Sequence, residues 1–112
     1  MKQYTTPNQT AKLIELGFEK PKSYHDIEWD GTEAYDRQLD YSIGELIEML
    51  PTDNNNIGWN IRKHNSITDI SKTQYSVIVD VNMFLSAYTT ESEELINALY
   101  EMIVKLKEEG II

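Results

Sequence analysis

The segment Tyr41–Pro51 carries its own start and its own stop, and no other feature constrains the fold as tightly. Ser42 and Glu45 form an S-x-x-E capping box, in which each residue satisfies an otherwise unpaired backbone N–H at the helix N-terminus. Tyr41 is placed to staple onto Leu46 across that terminus. Ile43, Leu46, Ile47 and Leu50 recur at i, i+3, i+4 and i+7, which makes one buried stripe. Gly44 lowers helix propensity by about 1 kcal/mol relative to alanine. That is tolerable in a first turn, and it lets another backbone approach closely. Pro51 ends the helix, and Thr52-Asp53-Asn54-Asn55-Asn56 has turn chemistry.

Two more helices follow from the same grammar. Thr6 suits an N-cap, Pro7 the first helical position, and Gln9 completes a capping box. Ala11, Leu13, Ile14 and Leu16 supply the apolar side. Gly17 occupies the left-handed stop position with Phe18 just beyond, and Pro21 blocks continuation. This helix is short and depends on tertiary packing. The last helix is expected from about Thr90, with Glu93 as its capping-box partner, to about Glu109, with Gly110 as the stop. Its stripe is Leu95, Ile96, Leu99, Met102, Ile103 and Leu106, and Lys105 and Lys107 suit the helix dipole at its C-terminus.

Between the second and third helices the period changes to two. Ile57, Trp59 and Ile61 alternate with Gly58, Asn60 and Arg62; Tyr75, Val77, Val79 and Val81 alternate with Ser76, Ile78, Asp80 and Asn82. Residues 83–88 either prolong the second strand or fold back as a third, with Asn82 as the break. The expected class is therefore α+β: a small antiparallel sheet of two or three strands packed with three helices, in the order α-α-β-β-(β)-α. Residues 1–112 read as one domain with an acidic irregular segment at about 20–40.

Composition narrows the function. The absence of cysteine removes disulfides, thiolate zinc sites and thiol catalysis. No apolar run exceeds three residues and no basic-then-apolar leader opens the chain, so a cytoplasmic protein without membrane contact is expected. Nineteen acidic residues stand against ten Lys and Arg, a net charge of −9 that argues against direct nucleic-acid binding. The charge is regional. Asp26–Asp53 holds nine acids against Arg37 alone, leaving the remainder nearly balanced.

Two functional readings fall on that region. Glu28, Trp29, Asp30, Glu33, Tyr35 and Asp36 form a candidate interaction surface, in which carboxylates interleaved with aromatics meet a basic partner or imitate nucleic-acid charge. Asp26, Glu28, Asp30 and Gly31 fit the first half of a calcium loop, but position 12 of that loop is Arg37, so metal binding by Asp26, Glu28 and Asp30 is the weaker reading. No catalytic constellation and no cofactor motif is present. His25 and His64 read as isolated surface histidines, and Glu45 and Glu48 as solvent-side helix residues. Asp80 is expected to pair with Arg62 or Lys63, and Trp59 and Tyr75 to face each other across the strands, as core packing in preference to an aromatic ligand platform.

Gln9 to Phe18, Tyr41 to Pro51 and Ala98 to Gly110 together resemble a family of small uncharacterised proteins encoded by phages, prophages and other mobile elements of gut anaerobes. The resemblance covers nearly the whole chain, but its motifs are caps, stripes and stops. It implies an α+β domain and no functional residue set. The resulting expectation is a small non-enzymatic accessory protein that acts on an unidentified protein partner or by self-association, with an acidic decoy of nucleic acid as the alternative.

Overall fold

The computed structural model describes residues 2–28, 35–51, 57–66, 71–81 and 86–112. The element order is α1 (Pro7–Glu15), β1 (Ser23–Glu28), β2 (Tyr35–Asp40), α2 (Ile43–Met49), β3 (Ile57–Asn65), β4 (Thr73–Val81), β5 (Ser86–Ser92) and α3 (Leu95–Glu108). The fold is α+β, and the expected helices and sheet strands occur in the expected order. Residues 86–92 fold back as a third strand; the suggested break at Asn82 lies outside the described residues.

One element was not legible. Where an irregular acidic segment was expected, β1 and β2 pair antiparallel from Ser23↔Asp40 to Glu28↔Tyr35. This hairpin forms a sheet of its own, and β3, β4 and β5 form a second antiparallel sheet with β4 in the centre. The hairpin packs on α1 through β2.

The two capping boxes form as the sequence predicts. Thr6 N–H donates to Gln9 Oε1 at 2.9 Å and Gln9 N–H to Thr6 Oγ1 at 3.2 Å; Ser42 and Glu45 repeat the exchange at 3.2 Å in both directions. Both glycine stops are real: Gly17 has φ +102° and Gly110 φ +74°, conformations that a side chain rarely adopts. Phe18 N–H then reaches back to the Leu13 carbonyl and Ile111 N–H to that of Leu106.

The start of α3 differs from expectation. Thr90 remains in β5 and donates its hydroxyl to the Ala98 carbonyl at 2.6 Å, so the helix begins four residues later, after Glu94, which provides no side-chain cap. The sheet ladder has outcompeted the local capping signal. In α1, Thr10 and Leu13 face inward, whereas Ala11 and Ile14 face solvent.

Register explains the layers. Ile57, Trp59, Ile61 and Lys63 lie opposite Val81, Val79, Val77 and Tyr75, which place them on one side of the sheet. Val77 and Val79 are fully buried there with α3 residues Ile96, Leu99, Met102, Ile103 and Leu106, together with Leu13, Tyr41, Leu46 and Leu50. The helix α3 packs on β4 and β5 and against α2. Asp80 lies opposite Gly58 and Ala87; Lys63 is on the other face and Arg62, opposite Ser76, is two cross-strand rows away on the same face, so the expected pairing does not arise. Trp59 and Tyr75 share a face but sit in different rows: Trp59 opposes Val79, while Lys63 lies over the Tyr75 ring at 5.9 Å. Among the described residues, no helix is long and apolar enough to cross a membrane.

Candidate functional site at the hairpin base

Two carboxylates hold the base of the β1–β2 hairpin, one from inside and one from outside. Asp40 ends β2 and is completely buried. Its Oδ1 accepts the Thr10 hydroxyl from α1, and its Oδ2 accepts Nε2–H of His25 from β1 at 2.7 Å. Because Thr10 has given its only hydrogen to Asp40, the 2.7 Å contact between Thr5 and Thr10 runs with Thr5 as donor. Thr5 Oγ1 in turn accepts Tyr41 N–H at 3.0 Å. The hydrogens therefore all point one way, Tyr41 to Thr5 to Thr10 to Asp40, and each bond polarises the next. His25 stacks flat on Tyr4, with ring centroids 4.1 Å apart and planes 5° from parallel.

This cluster ties together four parts of the chain. Residues 3–5 run beside 41–43, with Thr5 N–H donating to the Tyr41 carbonyl at 2.9 Å and Ile43 N–H to that of Gln3 at 3.2 Å. Asp40 is where this N-terminal segment, α1, β1 and β2 meet.

Glu45 closes the base from the solvent side. Beyond capping α2, its Oε2 accepts Lys22 N–H at 3.0 Å and its Oε1 the Ser23 hydroxyl. Partial burial pushes its carboxyl pKa up, but the hydrogen bonds from Ser23, Lys22 and Ser42 outweigh this and hold it below the ordinary 4.5. A depressed folded-state pKa adds stability that is full above the unfolded value and is lost as pH falls through the folded one. The melting temperature of the wild type should therefore exceed that of Glu45→Gln at pH 7, and the gap should narrow below about pH 4.5. Thermal melts from pH 7 to pH 3 read this directly; a gap that stays constant over the range refutes it.

Beside Glu45 lies a groove of about 250 Å³, lined among others by Phe18, Glu19, Lys20, Tyr41 and Met49. The Tyr41 hydroxyl donates to the Glu19 carbonyl at its floor. Burial first, and the charge of Glu45 second, push the Tyr41 pKa up, which keeps that donor protonated. The groove is smaller than the roughly 300 Å³ at which small-molecule sites begin.

The open face of the second sheet carries one further polar row. His64 Nε2 lies 2.6 Å from Ser76 Oγ, Ser76 Oγ lies 3.2 Å from Glu91 Oε1, and His64 Nδ1 lies 3.0 Å from the Asn65 carbonyl. Ser76 and His64 are at nucleophile–base distance, but the serine is buried in mid-strand and Glu91 competes for its hydrogen. The row acts as a cross-strand hydrogen-bonded ladder.

Both histidines read as isolated in the sequence are thus engaged, His25 with a buried carboxylate and His64 across two strands. Glu45, read as solvent-side, is half-buried and bonded to β1; Glu48 is exposed as expected. Of the candidate surface and metal residues, Asp26, Glu28, Tyr35 and Asp36 fall in the paired strands. Trp29, Asp30 and Glu33 lie outside the described residues. Residues 26–28 pair with 35–37, a ladder incompatible with the coiled backbone of a calcium loop. Among the described residues, no group of three or more His, Asp or Glu side chains is arranged to hold a metal ion. Comparison with family models, curated proteins and solved structures finds no match to this chain.

Proposed function

We propose that this protein is a small non-enzymatic accessory protein of a phage or mobile element, and that it binds a basic protein partner through its acidic hairpin. What supports the reading is how the acidic residues divide between two tasks. Asp40 and Glu45 face the fold and anchor the hairpin base. The rest of residues 23–40 brings five acids, Asp26, Glu28, Asp30, Glu33 and Asp36, against Arg37 alone. A carboxylate-rich arm on a fixed base creates a single-sign field that steers a cationic surface toward it. The nucleic-acid site of a basic protein is one surface of that chemistry, which is how a decoy would act.

The test compares regional with global charge. The triple variant Asp30→Lys, Glu33→Lys, Asp36→Lys leaves both anchoring carboxylates in place. A second triple variant, Glu101→Lys, Glu108→Lys, Glu109→Lys, makes the same change in net charge on exposed positions of α3 and its C-cap. With a lysine-rich peptide as probe, affinity should fall by roughly tenfold in the hairpin variant and far less in the α3 variant. Equal losses, or binding insensitive to salt, end the reading.

A further inference from the structure

The helix layer is narrower than the sheet it covers. The thin axis of the molecule, 18 Å against 52 and 37 Å, fits one layer of helix on one of sheet, and α3 packs chiefly on β4 and β5 rather than on β3. As an edge strand among the described residues, β3 carries Ile57, Trp59 and Ile61 on the helix side, where Ile57 and Ile61 pack against the margin of the core and Trp59 does not. Ile57 and Ile61 are half-buried, and Trp59 is 39 % exposed. The strand pairs with β4 through all nine residues without a bulge and contains no proline. Edge strands this long and regular invite another strand unless something blocks them.

Lys63 is the blocking feature, a charge on the apolar side of the edge. It excludes most strands. Against a second copy of β3 it does not. In an antiparallel pair centred on Ile61, all nine residues overlap: Ile61 meets Ile61 of the other copy, Trp59 meets Lys63, Asn60 meets Arg62, Gly58 meets His64 and Ile57 meets Asn65. Lys63, already over the Tyr75 ring, then gains a second aromatic face from Trp59. Arg62 and Lys63 oppose only neutral or aromatic positions, so the strand is complementary to itself in a two-fold arrangement.

The charge map favours the same edge. Two molecules of net −9 repel wherever their acidic surfaces meet. Residues 54–68 contain no Asp or Glu, and β3 holds Arg62 and Lys63 within that stretch. By contrast β5, at the opposite edge, runs through Glu91 toward Glu93 and Glu94. We infer that a second copy of this chain docks on β3, joining two three-stranded sheets into one continuous six-stranded sheet. The inference is independent of the basic-partner reading, but it would place two acidic hairpins on one particle and so add avidity to it.

Sedimentation equilibrium and cross-linking test it together. At about 100 µM, a loading suited to a small interface, the wild type should sediment at twice its 13.0 kDa chain mass. Trp59→Lys sets lysine against Lys63 at both ends of the interface and should weaken the dimer at least tenfold, with its circular-dichroism melt still cooperative. Because the chain has no cysteine, single thiols report position cleanly. Ile61→Cys should give a covalent dimer with a short bis-maleimide, and Ala87→Cys, on the β5 edge, should not. A monomeric wild type leaves the edge to some other chain and overturns the inference. So does a dimer that Trp59→Lys does not weaken, or one that Ala87→Cys captures as readily as Ile61→Cys. If Trp59→Lys fails to fold, the comparison of the two cysteine variants still decides.

Discussion

Asp40→Ala is expected to lower stability by about 2–3 kcal/mol, the range for removing a buried acceptor and leaving its hydrogen-bond donors unsatisfied. The carboxylate has no solvent-accessible surface, so nothing in the native state can replace its oxygens without rearrangement. Removal leaves Nε2–H of His25 and the hydroxyl of Thr10 without their acceptor, and the ordered chain through Thr5 to Tyr41 N–H loses its terminus. His25 retains 21 % side-chain exposure, so water can recover part of its loss, which places the effect at the lower end of the range. In a domain of this size the loss corresponds to a melting temperature lower by about 10 °C. The double variant Asp40→Leu, His25→Phe should lose less than the single one, because it removes one of the two unsatisfied donors, leaving only the Thr10 hydroxyl, and phenylalanine can still stack on Tyr4. Thermal melts of the three proteins check both statements. A single-variant shift under 3 °C would mean that the cluster is already satisfied some other way.

The cluster around Asp40 also shows where pattern reading stops. Caps and stops are local: Thr6 with Gln9, Ser42 with Glu45, and Gly17 and Gly110 were all legible because each signal lies within a few residues of the element it ends. The β3 and β4 strands were legible because their inward residues are apolar. The hairpin was not, because alternation is recognised by apolar residues, and here inward positions are taken by His25 and Asp40. The cost of burying Asp40 is offset by the hydrogen bond from Thr10, 30 residues upstream, which is itself held by Thr5. No short-range signal connects such positions. Thr10 gave the only hint, a hydroxyl residue three positions before the buried Leu13 on the same helix face. The misplaced start of α3 teaches the converse. Thr90 and Glu93 have the spacing of a capping box, but Thr90 is held in register opposite Val77, and a nonlocal ladder decided what the local signal could not.

Leu99→Ala should destabilise the protein by about 3 kcal/mol, within the usual range for truncating a buried leucine. Leu99 lies in the second turn of α3, fully buried, in the cluster that joins Leu13 of α1, Leu46 of α2 and Val77 and Val79 of β4. The loss combines the transfer free energy of the removed carbons with a void that rigid neighbours on both sides cannot close. Met102, one turn along the same helix, is flexible enough to fill part of it, which keeps the expected value below the upper limit of about 5 kcal/mol. Ile14→Ala is the matched control: Ile14 is 37 % exposed on the outer side of α1, and its truncation should change stability by less than about 1 kcal/mol. Two probes make the measurement more informative than one midpoint. In a Trp29→Phe background Trp59 fluorescence follows β3, while far-ultraviolet circular dichroism follows the helices. Because the buried cluster contains residues from all three helices and from β4, both probes should shift together in urea, with the slope of the transition unchanged. If the helices unfold at lower urea than Trp59 reports, the two layers are not one cooperative unit, and the sheet holds together through its own ladder and the His64–Ser76–Glu91 row.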